Sequence, residues 1–590
     1  MADSSNPTHS VQQDSHNGEV RSATPQRTTL RQQVERHITA ASGKQVEEKQ
    51  TESSRHSSSS DDSDSNSEHS ASVLHGVRSS RSRSLSRTVS EVRDGIENRR
   101  DLERGEELDL EKTPTTRTAR DPNLVTWDGP NDPGNPKQWS MKRKWAAVFC
   151  ISCFTLLSPV SSSMVAPALE AIGSDLNITS SFEKALALSI FVLAYAVGPL
   201  AWGPLSELYG RVIVLQLTNL FYMFFNLGCG LAQTKSQMIA FRFLAGLGGS
   251  APLAIGGGVL GDLFEAEQRG KAISIYSLMP LLGPAIGPIA GGFITQNTTW
   301  RWIFYSTTIL TAVIQSIGFF VLQETFAPVL LTRRKKRLIK ETGNTALHTD
   351  FDHPDRTIAR TLGIAFTRPF RLLGTQPLVQ CLALYMMYLY GLMYLVLSTF
   401  PTLWTVEYGE SVGISGLNYI SLGLGFFIGA QTCAPLQDRI YAALKRRYVP
   451  DGGPGRPEFR VPMMIPGAVL VPMGLIIYGW TSQYHTHWIW PNIGATLFSA
   501  GVIIGFQCIQ GFLVDTYTRY AASAVAAATV LRSLAGFGFP LFAPSLYNKL
   551  DYGWGNTLLA LLGVVIGWPG PLLLWKFGPR LRKKSQYAAG

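Results

Sequence analysis

Residues 185–231 read ALALSIFVLAYAVGPLAWGPLSELYGRVIVLQLTNLFYMFFNLGCGL. Two apolar runs flank one polar hinge, Gly203-Pro204-Leu205-Ser206-Glu207-Leu208-Tyr209-Gly210-Arg211, and the only charged side chains in the stretch, Glu207 and Arg211, sit at that hinge. A helix needs ~20 mostly apolar residues to cross a hydrocarbon core of ~30 Å. The stretch therefore predicts two membrane-spanning helices joined by a tight turn, with Gly203 and Gly210 allowing close helix approach and the turn itself.

The same test applied outward finds spans at roughly 145–168, 185–205, 212–231, 238–260, 272–294 and 303–322. A second set falls at roughly 378–400, 414–435, 461–480, 489–513, 521–546 and 557–576. The expectation is an all-α membrane protein of twelve transmembrane helices in two six-helix bundles. Its parts are a Ser-rich tail (1–120), a pre-membrane segment (121–144), the first bundle (145–322), a linker (323–377), the second bundle (378–577) and a terminal segment (578–590). Two six-helix halves are the pattern that an internal repeat leaves in transporters.

Positive charge orients the spans. Lys142-Arg143-Lys144, Arg211, Arg333-Arg334-Lys335-Lys336-Arg337, Lys445-Arg446-Arg447 and Arg582-Lys583-Lys584 all fall on one side. The other side keeps only Lys184, Lys235, Arg301 and Lys549. The positive-inside rule puts both termini in the cytoplasm. The two N-x-S/T sequons, at Asn177 and Asn297, then lie outside as candidate glycosylation sites.

Composition excludes several classes. The net charge of +11 sits in short loops, which argues against a nucleic-acid binder. The six cysteines lie within apolar runs and form no disulfide framework, and the pair Cys150 and Cys153 lacks further ligands for a metal. His485 and His487 form a lone loop pair, and no phosphate-cradling G-x-x-x-x-G-K-[ST] occurs. No enzyme, cofactor or metal is expected. The first residues have no apolar core, so the first span is expected to serve as its own insertion signal. The tail holds 17 serines between residues 51 and 90, with an Arg-x-x-Ser spacing around Arg81–Ser90. It is expected to be disordered, either as a solvated linker or as a kinase substrate.

Some residues inside spans carry chemistry. Arg242 is an ionisable side chain within span 4, and two readings remain: a partner or watery cavity inside the protein, or snorkelling to the outer interface. Span 5 contains Gly283-Pro284-Ala285-Ile286-Gly287-Pro288-Ile289-Ala290-Gly291-Gly292, which predicts a bent, closely packed helix. Arg532 lies in span 11, Asp438-Arg439 follows span 8 as Glu207 follows span 2, and Asp515 closes span 10. Tyr385, Tyr388, Tyr390 and Tyr394 in span 7, Phe426, Phe427 and Gln431 in span 8, and Gln507 and Gln510 in span 10 are candidates for a bulky amphipathic ligand or for plain packing. No carboxylate lies deep in a span. Glu170 and Arg242 stand near the same outer end, and a pair between them would let proton affinity change with conformation.

The hinge at Gly203–Arg211 resembles the G-x-L-[SA]-[DE]-x-x-G-R loop of the major facilitator superfamily, although Val212-Ile213-Val214 replace the basic residue and proline of many members. The resemblance implies that Glu207 and Arg211 latch the two halves together in one conformational state. Arg242 resembles the family's intramembrane arginine, which is implicated in proton coupling. Gly283, Pro284, Gly287 and Pro288 are similar to the antiporter motif of drug:proton antiporters. With Trp127–Pro133, Trp300–Phe304 and Glu324–Pro328, the resemblance narrows to the fungal twelve-span drug:proton antiporters, which export drugs, toxins and polyamines. It implies export of drugs, fungicides or toxic metabolites by proton antiport from the plasma membrane. Its partners would be membrane lipid, small amphipathic molecules and protons. A nutrient or polyamine transporter, and a sensor that has lost transport, are the alternatives.

Overall fold

The computed structural model describes residues 121–129, 132–352, 357–449 and 455–588. The tail at 1–120, with its Arg-x-x-Ser spacing, lies outside the described residues.

The first six spans are Met141–Ser163, Ser181–Tyr209, Arg211–Gly230, Lys235–Leu263, Ala266–Asn297 and Arg301–Val321. Spans 7 to 10 are Pro377–Thr402, Tyr419–Tyr448, Met464–Gln483 and Ile489–Thr516. The last apolar segment, Thr518–Lys583, has 66 residues, more than two crossings of ~20 residues need. Asp551, at φ 52° and ψ −179°, interrupts it, so spans 11 and 12 lie on either side and the crossings among the described residues number twelve.

The two ends of the bundle differ in charge. The basic face carries Lys142, the linker helices at 327–342 and 358–375, and Arg582; the sequon face carries Asn177 and Asn297. At the basic face, spans 2 and 3 part at Gly210, whose φ of 111° favours glycine. A Cβ there would also stand 2.8 Å from the Glu324 carboxyl carbon. Span 1 ends at Ser163, and its chain turns through Ala166–Ala168 before a short helix, Leu169–Asp175. Pro167 has no N–H to continue the ladder.

Burial separates central from peripheral helices. The apolar window of span 1 is 83% buried, whereas that of span 6 is 33% buried. Phe224, Phe319, Phe320 and Val565 are exposed on spans 3, 6 and 12. Such a belt is a hazard in water and the expected surface in lipid.

The halves meet along two seams. Ala196 and Leu200 of span 2 pack with Ala526 and Val530 of span 11. Ala285 of span 5 faces Gly423 of span 8, and Gly292 approaches Val412 and Gly416 of the helix leading into span 8. The linker folds into two helices, Ala327–Thr342 and Ile358–Thr375. Phe366 of the second joins the span 2–span 11 cluster at the basic face. The first is tied to the pre-membrane segment, where Arg334 bonds Asp132 at 2.9 Å and pairs with Asp128. The Asp128 and Gly134 backbone N–H groups, together with Arg334, hold the Asp132 carboxyl below its ordinary value against the opposing effect of burial.

Candidate functional site

At the basic face the hinge builds a charge network inside the first half. Arg211 Nη1 donates to Ser206 Oγ at 2.8 Å and Nε to Asp262 Oδ2 at 3.3 Å, and the guanidinium lies 4.5 Å from the Phe326 ring. The Glu324 carboxylate accepts from the backbone N–H groups of Arg211 (2.9 Å) and Val212 (3.3 Å). An acid there suits the positive end of the span 3 helix. Glu207 is largely exposed, and its ion pair among the described residues is with Arg211, at 3.8 Å, so the latch across the halves that the resemblance implies for one conformational state is not made in this one. One expectation needs correction. A Cβ at Gly203 would meet nothing within 4 Å, so that glycine is not required for close approach.

The second half repeats the network with a different cation. Arg460, just before span 9, donates to Asp515 through Nε at 2.5 Å, and its guanidinium stands over the Tyr441 ring. Asp438 contributes to the electrostatics of Arg460, whereas Arg439 is exposed and Asp515 pairs with Arg460 instead. Arg460 therefore takes the place that adjacency had given to Arg439. Arg460→Gln leaves Asp515 without its cation in a partly desolvated site. The expected outcome is a loss of about 1–3 kcal/mol in thermal unfolding of the purified protein, with Arg439→Gln near zero.

Arg242 is fully buried and its charge meets carbonyls rather than a carboxylate. Nη1 donates to Ser161 O at 3.0 Å and Nη2 to Ser162 O at 3.3 Å; Nε donates to Ala187 O at 3.2 Å and Nη2 to Leu188 O at 3.3 Å. Ser161 and Ser162 are in the last turn of the span 1 helix, where carbonyls lack helical partners and the helix dipole is negative. Arg242 thus caps a broken helix and ties spans 1, 2 and 4 together. Glu170 does not pair with it: Glu170 is exposed and bonds Lys184 at 2.5 Å. The snorkelling reading fails too, because no part of Arg242 reaches the surface. Glycines bring the neighbours close enough. A Cβ at Gly248 would lie 2.7 Å from Tyr222 N in span 3, and one at Gly249 2.7 Å from Ser158 Oγ in span 1.

Where the halves meet, Ser162 Oγ and Tyr394 OH are 3.1 Å apart. The Tyr390 and Tyr394 rings are tilted against each other at 5.0 Å, Phe506 lies 5.7 Å from Tyr390, and the Arg532 guanidinium lies 5.2 Å from the Tyr390 ring. Tyr385 and Tyr388 are elsewhere. Tyr388 OH donates to Leu559 O of span 12 at 2.6 Å, and a Cβ at Gly567 would meet the Tyr385 hydroxyl at 3.1 Å. Helical phase explains the difference, since positions 388 and 390 are about 200° apart around the axis. Phe426 is sealed in the core of the second half, Phe427, Gln431 and Gln510 are exposed, and Gln507 is half-buried.

Span 5 runs unbroken through Pro280, Pro284 and Pro288. Its glycines at 283, 287 and 291 share one face and press on span 1. A Cβ at Gly283 would sit 2.5 Å from Pro159 Cβ, and one at Gly287 2.8 Å from Val160 O. Ser163 Oγ also donates to Gly283 O at 3.2 Å. Backbone thus lies against backbone along this seam.

Comparison with known proteins agrees with this architecture. The Major Facilitator Superfamily description matches residues 151–540. Efflux pump vrtL of Penicillium aethiopicum is 52% identical over 490 residues, covering 82% of this chain and 96% of that protein. An uncharacterized transporter of Schizosaccharomyces pombe is 46% identical over 485 residues, covering 81% and 98%. Among solved structures, the partially occluded, inward-open xylose transporter XylE from E. coli superposes with a TM-score of 0.52 at 14% identity, over 74% of this chain and 98% of that one. That likeness concerns the fold alone. On sequence, spans and packing together, this chain is an integral multi-pass membrane transporter and belongs to the major facilitator superfamily.

Proposed function

We propose that the protein is an efflux pump that exports small amphipathic metabolites or toxins by proton antiport, with its basic face in the cytoplasm of the plasma membrane. The observation that carries this is the glycine face of span 5 against span 1. Where two helices touch through backbone, a slight slide opens or closes a pathway without repacking large side chains. The name of the 52% identical relative, an efflux pump, supports the outward direction. The driving force suffices: one pH unit gives ~1.4 kcal/mol per proton and 100 mV adds ~2.3. A polyamine cargo is disfavoured, because the charges in the middle of the spans are Arg242 and Arg532 and every carboxylate stands at a span end or in a loop.

The test is a resistance and accumulation screen in a pump-deficient cell, with and without an uncoupler. Expression should lower the cellular content of at least one toxic compound, and the uncoupler should restore it. Accumulation that is lowered equally with and without the uncoupler would remove proton antiport.

The orientation has its own test. Asn177 is exposed in the loop after span 1, whereas Asn297 ends span 5 and its amide donates to Phe293 O at 2.8 Å. Asn177→Gln is therefore expected to remove the protein's glycan shift on a gel, and Asn297→Gln to leave it. Protease access to the N-terminal tail from outside intact cells would reverse the orientation.

A further inference from the structure

The two arginines in the middle of the spans are treated differently by the fold. Arg242 spends its donors on four carbonyls. Among the described residues Arg532 has no such cage: its Nε is sealed from solvent without a hydrogen-bond partner, and its neighbour is the face of Tyr390. It stands eleven residues past Ala521, about 16 Å along the helix, which is mid-membrane. Both Arg532 and Tyr390 are half-buried, so the pair borders open space rather than a closed core. A guanidinium at that depth is unfavourable unless something supplies an acceptor. The acids nearest in sequence, Asp515 and Asp551, do not supply one, since they lie at opposite ends of the bundle, and no ion pair joins Arg532 to an acid among the described residues.

The surroundings say what kind of acceptor fits. Tyr394 and Phe506 meet the Tyr390 ring at a tilt, 5.0 and 5.7 Å between centroids, so aromatic surface stands beside the cation. One helical turn from Arg532, a Cβ at Gly536 would stand 2.8 Å from the Tyr390 ring and 3.0 Å from Val192 Cγ1. Tyr390 is thereby held against span 2, at the boundary between the halves, where an alternating pathway passes. A planar guanidinium bonds a carboxylate through two parallel donors, and aromatic rings stack on a flat ligand.

We propose that Arg532 and Tyr390 form a subsite for the anionic group of a flat aromatic acid, a carboxylate or phenolate, so that the pump selects organic anions over organic cations. The subsite rests on the protein being an efflux pump and assigns its cargo class.

Fluorescein and rhodamine 123 share a xanthene ring system and differ in charge, so they serve as the probes. Binding of each is measured by fluorescence anisotropy on the full chain in lipid nanodiscs. Fluorescein is expected to bind about tenfold more tightly, Arg532→Gln to lose about that factor for fluorescein while barely moving rhodamine 123, and Arg532→Lys to retain part of the preference. Competition by 1-naphthoate against 1-naphthylmethylammonium on the wild-type chain gives the same comparison with no variant that has to fold. Equal binding, a preference for the cation, no binding of either anion, or an unchanged fluorescein affinity in a monodisperse Arg532→Gln protein would each overturn the subsite. If the preference holds but neither dye moves uphill in a proton gradient, the efflux reading fails and the anion subsite stands.

Discussion

Replacing Gly287 with leucine is expected to cut transport by about tenfold or more while leaving an inserted protein. A Cβ at 287 would already lie 2.8 Å from Val160 O and closer still to Ser163 Oγ. Neither neighbour can rotate away, because one is backbone and the other is held by Pro159 O at 3.0 Å and Gly283 O at 3.2 Å. Overpacking a tight seam costs about 1–3 kcal/mol in general, and here the strain must push span 5 off span 1. Span 5 also carries Gly292, which meets the entry helix of span 8, so the displacement reaches the seam between the halves. Transport should fall by roughly tenfold or more, a factor that about 1.4 kcal/mol suffices to produce. Gly203→Ala is the matched control, since a Cβ there meets nothing, and it should transport normally although it lies in the hinge motif. Transport of labelled compound into inverted vesicles, normalised to inserted protein, decides both. A normal rate for Gly287→Leu would show that the glycine face is no more than packing.

Arg242→Met should destabilise the protein more than Arg460→Gln does. It removes four hydrogen bonds to carbonyls of spans 1 and 2 and leaves the end of the span 1 helix uncapped in a dry interior. Hydrogen bonds to a charged group contribute about 1.5–3 kcal/mol each, and buried acceptors left unsatisfied cost a similar amount, which would show as a large drop in unfolding temperature. Arg242→Lys should recover only part, because an ammonium has three donors where four carbonyls need partners and lacks the planar fork that spans them. Glu170→Gln should leave stability and pH-driven transport unchanged, since Glu170 is an exposed partner of Lys184. Loss of pH-driven transport in Glu170→Gln would restore the pairing that the structure does not form.

What the sequence made legible was whatever depends on local composition. Runs of ~20 apolar residues mark the spans, and a glycine–proline run marks the close seam of span 5. Through-space partners were not legible. Asp262 and Glu324 complete the Arg211 network from 51 and 113 residues away, and nothing in the hinge motif points to them. Arg439 adjoins Asp438 in sequence, but adjacent positions on a helix point about 100° apart, and Arg460 had no local signal of its own. A count of charge pairs by depth could have found Arg460 at the start of span 9, facing Asp515 at the end of span 10. The partner of Arg242 was sought among carboxylates, yet carbonyls carry no side-chain identity. The sign was the break that Pro167 imposes on span 1, because broken helix ends expose acceptors. The four tyrosines of span 7 were read as one cluster, and helical phase divides them into two that pack against span 12 and two that face the first half.

Outward movement of cargo against its gradient, at the expense of protons, is tested most directly in proteoliposomes. These hold the protein with its basic face outward and carry a pH-sensitive dye in an acid lumen. Adding a cargo compound outside is predicted to raise the lumenal pH as compound accumulates above its outside concentration, with both signals abolished by an uncoupler and strongly reduced in Gly287→Leu. Accumulation that stops at the outside concentration, with no change in lumenal pH, would contradict proton-driven export.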